Sequence, residues 1–233
     1  MPAIRNISLN LEIERLETIA AVAGTGPTKS RLRSLLPEML IEIDRNKPIV
    51  PCICYEIVAV DRSARGAIIL ENGDILVAPL LAHRIAGASH ILFGVATIGS
   101  AMAETVRRCF TQGNSLKAIL MEQLANAALF ETINRLQTLA EKRASAVGLT
   151  ASGPLSPGDH EGFSLDQQAT VLKLAGATKI DIAMTQTGQM NPVHSISVVI
   201  GLGTSMRKWT KVDDCRICRS RDRCCHYTEP LET

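Results

Sequence analysis

Residues 155–201 read LSPGDHEGFSLDQQATVLKLAGATKIDIAMTQTGQMNPVHSISVVIG. A Pro-Gly pair, Pro157-Gly158, opens the stretch as a loop. Helical spacing follows over about 166–174 and stops at Gly176. A polar segment containing Gly188, Asn191 and Pro192 then leads into an apolar strand at 196–200. Loops held between regular elements are where binding groups concentrate. No residue in the stretch stands as a nucleophile beside its base, so it reads as a binding surface rather than a self-contained reaction centre.

Upstream, the hydrophobic period changes several times. Alternating Ile7, Leu9, Leu11 and Ile13 predict a half-buried strand over 7–13. Leu16, Ile19, Ala20 and Ala23 predict a short helix ended by Gly24-Thr25-Gly26-Pro27. Helical spacing resumes over 28–46. Three short strands are expected at 53–60, 66–70 and 74–77, with turns at Asp61-Arg62-Ser63 and at Asn72-Gly73. Asn and Gly tolerate the positive φ of a tight hairpin turn. A short helix at 79–85, a strand at 90–97 and a helix at 101–110 come next. Residues 115–147 lack Pro and Gly and are rich in Leu and Ala. They predict one helix roughly 45–50 Å long, apolar over much of its surface and therefore central.

Aromatic residues make up only 3% of the chain, so a base-stacking nucleic-acid platform is not expected. The formal net charge of +2 is too small to draw nucleic acid or an anionic membrane. No run approaches the ~18 uncharged apolar residues of a membrane helix. Charge interrupts residues 1–17 every few positions, unlike a secretory signal, so a cytoplasmic location is expected. There the seven Cys read as thiols or metal ligands rather than disulfides.

The sharpest local motif is Cys215-Arg-Ile-Cys218-Arg-Ser-Arg-Asp-Arg-Cys224-Cys225. It sets a Cys-rich tail, 211–233, apart from a body of 1–210. A Cys-x-x-Cys pair places two thiolates on one side of a turn, as zinc or an iron–sulfur cluster requires. Cys224 and Cys225 complete a set of four, with His226 as another candidate, and redox-active thiols or an inert tail are the competing readings. The pair Cys52-Ile-Cys54 is expected in a strand on opposite faces, as core. Glu122 and Asn126 lie one turn apart on the long helix, a carboxylate among apolar neighbours. At Thr97-Ile98-Gly99-Ser100 a Gly turn between strand and helix either exposes backbone N–H groups to an anion or makes a close-packed connection. Glu104, one turn further, either caps the helix or meets a ligand cation. No HExxH, GxSxG, P-loop or GxGxxG pattern occurs, which argues against hydrolases and nucleotide-triphosphate enzymes.

Taken in order, Thr97-Ile98-Gly99 with Glu104, the long helix from about Leu116, Ser156-Pro157-Gly158, and Met190-Asn-Pro192 before Ser195-Ile-Ser197 resemble the activation domain of cobalamin-dependent methionine synthase in its free-standing form. The Cys-rich ending is similar to that of many stand-alone members. The resemblance implies a single α+β fold, a twisted, largely antiparallel sheet flanked by helices with one long central helix. It implies S-adenosylmethionine binding in a groove formed by Thr97, Gly99, Glu104, Ser156, Pro157, Gly158, Asp159, His160, Met190, Pro192 and Ser195. It also implies a part in reducing and remethylating the corrinoid of a partner, a corrinoid protein or cobalamin-dependent methyltransferase. No segment resembles a corrinoid-binding module, so corrinoid arrives only on that partner; self-association is open. The family's loop reads Arg-x-x-x-Gly-Tyr, and with its Gly on Gly158, Pro154 stands at the Arg position and Asp159 at the Tyr position.

Overall fold

The computed structural model describes residues 2–9, 27–64, 66–158 and 162–209. In chain order these form β1 (Ala3–Arg5), α1 (Pro27–Asn46), β2 (Cys52–Ala64), β3 (Ala67–Leu70), β4 (Ile75–Val77), α2 (Pro79–Arg84) and β5 (His90–Thr97). There follow α3 (Ala101–Thr111), α4 (Ser115–Ser145), β6 (Thr150–Ala151), α5 (Gln168–Ala175), β7 (Ala183–Met184), β8 (Met190–Asn191) and β9 (Ser195–Gly203). Single turns of 3₁₀ helix at Leu165–Gln167 and Ala177–Ile180 flank α5.

β5 shows why the sheet is the centre of the molecule. Its residues from Ile91 to Thr97 are all buried, the mark of a strand covered on both faces. Ile91, Phe93 and Val95 enter one core with α2, α5 and the 3₁₀ turn Ala177–Ile180. Leu92 and Ala96 enter another against the C-terminal half of α4. The strand order is β4-β3-β2-β5-β9-β6, with β1 also on β2, and every pairing is antiparallel. A third core, of Leu36, Met39, Met102, Val106, Met121 and Leu124 among others, joins α1 and α3 to the N-terminal half of α4. α4 thus serves two cores end to end, which explains apolar residues around much of its circumference. The α+β architecture with one long central helix is as expected.

Gly94, in the middle of β5, lies where α4 crosses. A Cβ there would fall inside van der Waals contact with Leu136 Cδ2, so glycine is what lets helix and sheet approach. Cys52 and Cys54 are core as expected, but both belong to one core and one face. Residues two apart on a strand share a face, so the expectation of opposite faces was wrong. Cys109 is buried in the helical core, and all three thiols are free.

Several boundaries differ from the sequence reading. The turn expected at Asp61-Arg62-Ser63 is strand: β2 runs to Ala64 through a register shift between Val60 and Arg62. Ser63 and Ala64 find ladder partners in Ile68 and Ala67, so the strand continues through the expected turn. The Asn72-Gly73 hairpin is present, with Asn72 Oδ1 accepting the Asp74 N–H at 3.0 Å. Residues 7–9 are not strand; the chain pairs with β2 earlier, at Ala3–Arg5. The rest of that expected strand and the helix at 16–23 lie outside the described residues. So do Asp159, His160 and the tail with Cys215, Cys218, Cys224 and Cys225.

Candidate functional site

The antiparallel register brings the end of β5 beside the start of β9, pairing Thr97 with Ser195. Both side chains are buried, and a compact polar cluster forms around them. Thr97 Oγ1 donates to the His194 carbonyl at 3.1 Å and accepts the Gly99 N–H at 3.1 Å. Ser195 Oγ lies 2.9 Å from Thr97 Oγ1 and 2.7 Å from the Pro192 carbonyl, sharing its one hydrogen between them. The Ile98 N–H also donates to the His194 carbonyl, at 3.2 Å. Gly99 has φ +82°, a conformation glycine adopts without steric cost. Its N–H is therefore committed to Thr97 rather than presented to an anion. Thr97, Gly99, Pro192 and Ser195 are thus joined directly, across nearly a hundred residues of chain. Pro192 follows a cis peptide bond from Asn191.

Behind this cluster stands a contact between Glu122, the carboxylate noted on the long helix, and His194. His194 Nε2 lies 3.1 Å from both carboxylate oxygens of Glu122 on α4. The imidazole is buried, and its Nδ1 has no hydrogen-bond partner. A separation of 72 positions carries no periodic signal, so only the fold reveals the pair.

The Ser-Pro-Gly loop reaches the same strand by another route. Leu155 and Val199 exchange two backbone hydrogen bonds, of 3.0 and 2.8 Å, as an antiparallel bridge. The chain beyond Leu155 therefore runs alongside β9 toward Ser195. Ser156 and Pro157 are buried, and Gly158 turns with φ +87° while its N–H donates to Phe163 O at 2.8 Å. Met190 is half-buried in the β7–β8 ribbon opposite Met184. Exposed Met184, Val193 and Leu165 add apolar surface to the segments that frame this end of β9. Upstream, the Pro154 carbonyl accepts Trp209 Nε1–H at 3.3 Å, and the Arg84 guanidinium lies 5.2 Å above the Trp209 ring.

Glu104 lies on the exposed side of α3. Arg107 donates to its carboxylate at 2.6 and 3.1 Å, and that bond holds the carboxyl below the usual range. Among the described residues, no group of three or more His, Cys, Asp or Glu could hold a metal ion. No helix of the described residues is long and apolar enough to cross a membrane.

The architecture is that of an α+β protein whose antiparallel sheet carries one long helix on one face and short helical turns on the other. A crystal structure of the MetH reactivation domain bound to AdoHcy matches this chain with a TM-score of 0.61, covering 93% of it and 84% of the other chain, at 14% sequence identity. The chain therefore has the reactivation-domain fold. No protein-family model matches the sequence, and no curated protein does either.

Proposed function

We propose that the chain is an accessory protein in reactivating the corrinoid of a cobalamin-dependent methyltransferase, binding an S-adenosylmethionine-type ligand beside β9. The observation that carries this reading is the fold likeness to a domain bound to AdoHcy. The joining of Thr97, Gly99, Pro192 and Ser195 in one hydrogen-bonded cluster adds support. A bound S-adenosylmethionine supplies an activated methyl group. The chain's own part is to hold and orient. The Thr97 and Ser195 hydroxyls are spent on internal bonds, so they stiffen the wall rather than contact ligand, and stiff walls position a reacting group well. The half-buried side chain of Met190 offers an apolar, polarizable contact for a nucleoside or thioether.

The fit is incomplete at one end. A ligand carboxylate is best met by a bidentate arginine. The family's Arg position is Pro154, whose carbonyl is already engaged by Trp209. That observation favours a second reading, a scaffold protein that keeps the fold and has lost the ligand. Calorimetry with S-adenosylmethionine and S-adenosylhomocysteine separates the two: micromolar binding supports the first, and absence of binding supports the second. Under either reading the corrinoid is brought by the partner, and Cys215, Cys218, Cys224 and Cys225 hold a metal or iron–sulfur cluster.

A further inference from the structure

His194 is 4% exposed, yet its ring is bonded on one side only. Nε2 faces both Glu122 oxygens at 3.1 Å, so Nε2 carries a hydrogen and donates it. Nδ1 is buried without a partner, an unfavourable state for a polar atom. The same residue's carbonyl accepts both the Thr97 hydroxyl and the Ile98 N–H. His194 is therefore held at two ends, its ring by α4 and its carbonyl by the β5–α3 turn. Glu122 is 43% exposed and approaches from the helix surface, so the carboxylate can be altered without opening a core.

We infer that Glu122 and His194 are positioning residues: their carboxylate–imidazole bond clasps the Pro192–Ser195 segment to α4, and through the His194 carbonyl it fixes the Thr97–Gly99 turn. The clasp sets one wall of the proposed groove. Only that last statement rests on the proposed ligand reading; the clasp exists with or without a ligand.

Native-state amide exchange on the whole chain tests it, because the Ile98 amide donates to the His194 carbonyl and the Gly99 amide donates to Thr97 Oγ1, which itself donates to that carbonyl. Glu122→Ala and His194→Ala should each speed exchange at Ile98 and Gly99 at least tenfold, equivalent to about 1.4 kcal/mol of local opening. The double variant should be no faster than the faster single one, since both cut the same bond. Glu122→Gln, whose amide oxygen still accepts from Nε2, should stay within about threefold of the parent. Exchange at Leu172 in α5 should not change in any variant. Unchanged Ile98 and Gly99 amides in Glu122→Ala would overturn the inference, as would equal acceleration at Leu172. Should His194→Ala fail to fold, the exposed Glu122 variants decide alone. A ligand arm is separate. If the parent binds S-adenosylhomocysteine, Glu122→Ala should weaken it about tenfold and Glu122→Gln should restore it; loss in both removes the positioning role. A parent that binds nothing refutes the ligand reading and leaves the clasp to the exchange result.

Discussion

Gly94 and Leu136 set the spacing between the sheet and α4. Adding one methyl at Gly94 presses on a fully buried leucine, and overpacking of this kind costs about 1–3 kcal/mol. Gly94→Ala should lower stability to chemical denaturation by that amount, and adding Leu136→Ala should bring less than the sum of the two separate losses. The cysteines give a second residue-scale test. Burial pushes the Cys54 thiol up, and its S–H donates to Gly176 O at 3.3 Å. A raised thiol pKa keeps the unreactive neutral form to higher pH. At pH 8, mass spectrometry should find Cys52, Cys54 and Cys109 unmodified by iodoacetamide in the native chain and modified after unfolding.

At the scale of elements, α4 was the plainest feature in the sequence, because 115–147 contains neither Pro nor Gly. The strands at 90–97 and 196–200 were legible for a different reason: short apolar runs between turn residues. What stayed hidden were elements that exist only through partners. Thr150–Ala151 is strand because Leu202 and Gly203 lie beside it, and residues 61–64 are strand because β3 folds back on them. A hairpin turn was read into polar residues there, and tertiary pairing overrode it. The α1–α4 contact is another such link. Lys117 reaches Glu42 at 2.6 Å with both side chains only about a quarter exposed (22% and 26%). Hydrogen bonding to Glu42, the largest cause, holds the Lys117 ammonium above the usual lysine range. A raised lysine pKa contributes stability that is full below the ordinary value and lost as pH rises through the folded one. Lys117→Met should therefore cost about 0.5–1 kcal/mol at neutral pH, and its melting temperature should converge with the parent's at strongly alkaline pH.

For the whole molecule, the sheet divides labour between its faces. α4 braces one face and α5 packs on the other, while the chain leading into the Ser-Pro-Gly loop follows the edge of β9. The site was legible as separate fragments, Thr97-Ile98-Gly99 and Met190-Asn-Pro192, while their contact through Ser195 and the backing by Glu122 and His194 were not. Hydrogen bonds spanning about a hundred positions leave no local trace. Glu104 was grouped with these fragments, yet its carboxylate is bonded to Arg107 on the surface of α3. The tail makes its own prediction. Anaerobically purified protein should carry an iron–sulfur absorption band or stoichiometric zinc, and Cys218→Ser should lower that content; four freely titrating tail thiols and no metal would contradict the site. The account as a whole rests on the ligand site proposed beside β9. Titration of the purified chain with S-adenosylhomocysteine in a calorimeter tests it most directly: saturable one-to-one binding at micromolar ligand is the predicted result, and absence of heat up to millimolar ligand would contradict it.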